Sequence, residues 1–285
     1  MIPPDVVYLK PGSVETASSY LRDRPGAVAV AGGTMVLPAL GRREQFTPAL
    51  VDLCALGLDT VTERDGALVI GALASYSTVA SDDRIAATAP LLRTLAAGIT
   101  GGAQIRNQGT LGGSACRAAP ASDVPAALSA LGATMRVHGP EGPRDIAIDD
   151  FWIGAGRTAL AEGELLTEIV VSPDPASAQG YVKFKLCESS WPIVTAAALV
   201  TASGSATVAV GGFGARPVRV EVEVDPSATG TELPSAAELR DLVLGRTAEV
   251  WSDELAGSDY RQAIVGVIAR RALRAALDKT EGKKP

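Results

Sequence analysis

The first part of the chain alternates short apolar runs at strand-like and helix-like spacing. Residues 6–9 read as extended and 14–24 as helical, with 27–31 extended again and 35–40 opening a second helix after a Gly-Gly-Thr turn. A further short strand covers 50–53, so residues 1–57 are expected to form one α/β lobe. From Thr60 the pattern changes. TVTERDG and ALVIGAL read as two arms of a hairpin with Asp65 and Gly66 at its turn. Residues 91–99 and 123–131 are predicted helices on either side of a glycine-rich segment, which completes a second lobe over 58–175. A run of Ser, Pro, Asp and Gly at 172–180 reads as a linker to a third unit, residues 180–285. There, 181–186, 194–201 and 206–210 are strand candidates, followed by two helices. The last helix, 260–277, aligns Ile264, Val267, Ile268, Arg271 and Ala275 on one side as a packing face. The expected class is α+β: two lobes sharing a cleft, and a C-terminal domain with a small antiparallel sheet and helices.

Composition narrows the chemistry. The chain has 285 residues, 47% of them hydrophobic, which is enough for a large core divided among two or three units. A net charge of −6, a single His and no dense Lys/Arg run argue against nucleic acid or an anionic membrane surface as partner. No apolar run reaches the ~20 residues needed to span a bilayer, and the N-terminus does not read as a secretory signal. A soluble, cytoplasmic protein without membrane insertion is the expectation. Cys54, Cys116 and Cys187 stand far apart, which suits reduced thiols and supplies no ligand cluster for zinc or iron–sulfur.

Two glycine segments carry the candidate chemistry. VAGGTMVLPAL, residues 30–40, and TGGAQIRNQGTLGGSACRAAPASD, residues 100–123, each place paired glycines beside hydroxyl residues at a predicted strand end. Backbone amides can approach an anion closely at such positions, and Thr34 is expected to cap the helix that follows the first. Both segments resemble the FAD-binding loops of the flavoprotein (medium) subunit of the molybdenum hydroxylases, the family of xanthine dehydrogenase and aerobic carbon monoxide dehydrogenase. The resemblance runs through most of the chain in the same order. It implies the two-lobed FAD-binding fold shared with the vanillyl-alcohol oxidases, and FAD held noncovalently in the cleft. By that resemblance Ala31, Gly32, Gly33, Thr34, Met35 and Val36 would wrap the pyrophosphate, with Met35 at a position that is acidic in relatives. Thr110, Gly112, Gly113 and Ser114 would contact pyrophosphate and ribityl chain, Ser114 standing where Asn is usual.

The same resemblance assigns Asp123 to the cofactor hydroxyls, although on its own it reads equally well as a helix N-cap. Leu166 would pack near the flavin, and Lys183 matches a cofactor-binding Lys, with Cys187 four residues on where an Arg is usual. Trp191 would stack on the isoalloxazine or sit at a domain interface. Arg106 and Asn107 read either as braces of the loop or, for Arg106, as an anion contact. The implied function is an FAD-dependent electron-transfer subunit. It would take electrons from iron–sulfur clusters on a small partner, downstream of a molybdopterin large subunit, and deliver them to a small-molecule acceptor. A stand-alone flavoenzyme on the same scaffold is the alternative, as is a scaffold that no longer binds flavin.

Two further features are decoys on sequence grounds. Gly154 to Ala159 matches a loose GxGxxA pattern without its βαβ context, and His138 has no second His to pair with.

Overall fold

A computed structural model describes residues 5–225 and 233–281, with side chains through 278. The N-terminal lobe contains β1 (Val7–Leu9), α1 (Val14–Arg22), β2 (Val28–Val30), α2 (Val36–Gly41) and β3 (Ala49–Asp52). Its three strands are parallel in the order β1-β3-β2, so each strand-to-strand connection must cross over through a helix or loop. Ser13 caps α1 by accepting from the Thr16 amide at 3.2 Å, and Glu15 and Arg22 complement the two ends of the helix dipole.

The second lobe begins with the hairpin β4 (Val61–Arg64) and β5 (Ala67–Gly71). Asp65 and Gly66 have φ of 53° and 77°, the left-handed pair that the Asp-Gly signal demands. Six short helices follow: α3 (Tyr76–Ser81), α4 (Asp83–Thr88), α5 (Pro90–Ala97), α6 (Gly102–Gln108), α7 (Leu111–Arg117) and α8 (Val124–Ala130). The chain then forms β6 (Thr134–Gly139), β7 (Gly142–Ala147), α9 (Ile148–Phe151), β8 (Trp152–Gly154), β9 (Arg157–Thr158) and β10 (Leu165–Val171). The antiparallel sheet runs β4-β5-β10-β6-β7, with β10 central and mostly buried.

The C-terminal sheet, β11 (Ala178–Lys185), β12 (Pro192–Val200), β13 (Ser205–Gly211) and β14 (Val218–Glu223), is antiparallel in chain order. It has one strand more than the sequence reading, because Val218, Val220 and Val222 alternate with polar residues along VRVEVE. The linker expected over 172–180 is shorter than predicted, since β11 already starts at Ala178. Helices α10 (Ala236–Leu244) and α11 (Ser258–Glu281) complete the domain. The expected packing face of α11 needs correcting: Val267 and Arg271 are exposed. The buried residues are Arg261, Val265, Gly266, Ile268, Ala269, Ala272, Leu273, Ala276 and Leu277. Small residues decide the side. A Cβ on Gly180 would lie 2.2 Å from the Ala272 carbonyl oxygen, so α11 rests almost backbone to backbone on β11.

One hydrophobic cluster unites the three parts. It takes Ala17 and Val51 from the first lobe, Leu111 and Ile169 from the second, and Tyr181, Ala197 and Ala209 from the C-terminal sheet.

Candidate functional site

The first glycine segment forms the turn from β2 into α2. Gly33 has φ of +65°, and a Cβ there would lie 2.7 Å from Leu37 Cδ1. The N-cap position is Met35, and no side chain caps α2, so Thr34 does not play the capping role expected of it. Among the described residues no acceptor is bonded to the amides of Gly32, Gly33, Thr34 or Met35. Four neighbouring donors are thus left for a ligand, beside the positive end of a short helix. Ala31 and Val36 flank them half-buried, Ala31 accepting from Cys54 Sγ at 3.5 Å.

The second segment is two helices, α6 and α7, with Gly109 and Thr110 between them. It meets the first loop directly: a Cβ on Gly32 would stand 1.6 Å from the Gln108 carbonyl oxygen. The amides at the start of α7 are already used. Gly112 N–H donates to the Ala72 carbonyl at 2.9 Å, Gly113 N–H to Thr110 Oγ1 at 3.0 Å, and Ser114 N–H to the Thr110 carbonyl at 3.2 Å. Gly112 is buried because its missing Cβ makes room for Ala72, whose carbonyl oxygen would be 2.5 Å away. Its amide and its missing side chain therefore serve packing. Gly113 is exposed and offers a bare backbone surface, while Thr110 and Ser114 offer hydroxyls. Arg106 donates to the Ile99 carbonyl and Asn107 accepts from Ser77, so both brace this loop.

A polar cluster lies beside these loops. Asp123 does not cap α8; it accepts from Tyr181 Oη at 2.6 Å and from Lys183 Nζ at 3.0 Å, and the Lys183 and Asp123 side chains are only 8% and 9% exposed. Tyr76, which sequence reasoning missed, bonds the Ser114 hydroxyl and packs beneath Gly109. Burial pushes the Tyr76 phenol well up, the Ser114 bond opposes this, and the nearby Asp123 charge raises it further. The Tyr181 phenol is likewise raised by burial and by Asp123, so both tyrosines stay protonated donors. Tyr181 was also missed, although Tyr181 and Lys183 stand two apart on β11 and therefore share a face.

The remaining sequence candidates divide. Leu166 lies in the core on β10, 4% exposed. Trp191, 41% exposed, stands in the turn just before β12. Cys187 is exposed, and bonds with Ser189 and Ser190 hold its thiol below the usual range. His138 is on β6 with Nε2 3.7 Å from Glu15 Oε1. The GxGxxA decoy is the small hairpin β8–β9.

The family model described as "FAD binding domain in molybdopterin dehydrogenase" matches residues 4–174. The chain belongs to this FAD-binding family. It is 34% identical to the carbon monoxide dehydrogenase medium chain of Afipia carboxidovorans over 97% of this chain and 98% of the relative. Against the nicotine 6-hydroxylase medium subunit of Paenarthrobacter nicotinovorans it is 27% identical, over 95% and 96%. A solved structure of Cu,Mo-CO dehydrogenase in its cyanide-inactivated form contains a chain that superposes with a TM-score of 0.88 at 31% identity, covering 98% of this chain and all of that one. The architecture is thus the two-lobed FAD-binding fold with its C-terminal domain. The residues fit an FAD-binding subunit: bare amides suit a pyrophosphate, hydroxyls and a carboxyl suit a ribityl chain, Gly32 lets the two loops close on each other, and Gly113 leaves bare backbone exposed. No helix among the described residues is long and apolar enough to cross a membrane.

Proposed function

We propose that the chain is the flavoprotein subunit of a molybdenum-containing hydroxylase or dehydrogenase, passing electrons from iron–sulfur clusters on a small partner to a small-molecule acceptor. A large molybdopterin subunit completes the assembly, which works in the cytoplasm. The likeness to medium chains of multi-subunit enzymes over nearly the full length supports this reading. The observation that carries the site is the apposition of the two glycine loops at Gly32 and Gln108, with unbonded amides on one side and hydroxyls on the other.

In this reading 1–57 and 58–175 are the two lobes of the cleft and 180–285 is the domain that closes it. The amides of Gly32, Gly33, Thr34 and Met35 hold the pyrophosphate, while Ala31 and Val36 shape the turn. Thr110 and Ser114 bond the ligand through hydroxyls, and Gly112 sets the loop's packing so that Gly113 can be approached. Asp123 and Lys183 order the flavin end, Trp191 shields its face, and Leu166 backs it from the core. FAD bound here supplies the redox chemistry; the protein supplies dipoles, orientation and exclusion of water. The two loops contain no His or Tyr, and their single thiol, Cys116, is pushed up to about 12 by burial, so a covalent flavin attachment is not expected. Acid precipitation of the purified chain tests this: flavin in the supernatant as FAD is expected. A colourless protein that fails to take up added FAD contradicts the reading, and flavin kept in the pellet contradicts the noncovalent part.

A further inference from the structure

Tyr181 and Lys183 reach one carboxyl from the same face of β11. Tyr181 Oη donates to Asp123 Oδ1 and Lys183 Nζ to Asp123 Oδ2, so each carboxyl oxygen receives one of the two donors. Lys183 Nζ donates a second time, to the Gly98 carbonyl at the end of α5, at 3.3 Å. An ammonium has three donors, and among the described residues the third is uncommitted. A buried pair keeps one geometry only when its other donors and acceptors are bonded as well, which is what Tyr181 and Gly98 accomplish here. The cluster also adjoins the loops, since the Asp123 charge is felt at Tyr76, whose hydroxyl is bonded to Ser114.

We propose that Tyr181 is a positioning residue for the flavin: by occupying Asp123 Oδ1 it confines Lys183 to Oδ2 and Gly98, and so fixes where one positive charge stands in the cleft. The proposal rests on the cleft assignment above. When the Tyr181 hydroxyl is removed, Oδ1 loses its donor. The Lys183 ammonium is the nearest donor able to fill the gap, and turning toward Oδ1 draws it from its place. Positive charge near a flavin favours the reduced, electron-rich ring, and uncompensated negative charge opposes it.

The test uses the FAD-loaded chain as wild type, Tyr181→Phe, Lys183→Met, the double variant and Asp123→Asn, measuring flavin midpoint potential, FAD affinity and thermal stability. Tyr181→Phe and Lys183→Met are each expected to lower the potential. Tyr181→Phe is expected to weaken FAD about three- to tenfold, the scale of one lost hydrogen bond. Asp123→Asn should raise the potential. The double variant should match Lys183→Met, because Tyr181 acts through Lys183 and the two effects do not add. Wild-type potential and affinity in Tyr181→Phe, or additive shifts in the double variant, overturn the proposal. If Tyr181→Phe does not load or fold, the sign for Asp123→Asn decides, a fall or no change overturning it. Failure of the wild type to bind FAD overturns the cleft assignment instead.

Discussion

At Gly32 a single added methyl would have to stand 1.6 Å from the Gln108 carbonyl oxygen and 2.5 Å from its carbon. Backbone cannot yield there as a flexible side chain can, so Gly32→Ala must push the two loops apart. We expect it to destabilise the fold by at least about 1–3 kcal/mol in urea unfolding and to abolish FAD uptake, whereas Gly12→Ala, with open space around its Cβ, stays within about 0.5 kcal/mol. Equal midpoints for the two variants contradict the apposition. The thiols give a second prediction. Cys187 is exposed with its thiol lowered; Cys54 is pushed up to about 11 by burial and Asp52, and Cys116 to about 12 by burial. Maleimide labelling followed by mass spectrometry should modify Cys187 first, Cys54 more slowly and Cys116, only partly exposed, slowest. Cys116 reacting first contradicts the order. At this scale the sequence motif located the loops but not the duties within them. GGS reads alike at every glycine, yet Gly112 serves packing and Gly113 faces outward, a difference set by Ala72, which is 40 residues away. Asp123 shows the same limit: its position suggests a cap, and only tertiary contact with β11 turns it into an ion-pair partner.

Among the elements, α11 depends on one buried cation. Arg261 is fully buried and donates to Asp253 Oδ1 and to the carbonyls of Ala256, Ile193 and Gly212, tying the helix to the turns around β12 and β13. Arg261→Met strands the carboxyl and several carbonyls, and about 3–5 kcal/mol should be lost in denaturant unfolding. A loss below about 1 kcal/mol contradicts that role. The pH dependence follows from Asp253. Burial raises its carboxyl, but bonds from Trp251, Leu255 and Ala256 and the Arg261 charge outweigh burial and hold it below the usual range. Its contribution is therefore present above about pH 4 and lost as pH falls through the lowered value. Element types were legible where the periodicity ran long or the turn chemistry was explicit, as in the Asp65-Gly66 hairpin. Helices α3 and α4 escaped because six residues each are too few to show a period, leaving Ser75 and Asp82 as their only start signals. The α11 face was misjudged because two offset stripes of a helix are both apolar, and close approach by Ala272 and Ala276 chose between them.

For the whole molecule, the decisive arrangement is three sheets around one shared core, which brings residues from 32, 108, 114, 123 and 183 into one region. The resemblance in the two loops anticipated that region and its family. It did not anticipate that the amides of Leu111, Gly112, Gly113 and Ser114 are bonded within the protein while those of 32–35 are not, because the acceptors for Leu111 and Gly112 come from the distant residues Ala74 and Ala72. FAD is expected to sit against the amides of 32–35. Hydrogen exchange read by mass spectrometry, with and without saturating FAD, tests it most directly. Slowed exchange is expected in peptides covering 31–36, with smaller changes at 111–114, whose amides are already bonded, and none on β13 or β14. Saturable FAD binding with no protection at 31–36 would contradict it.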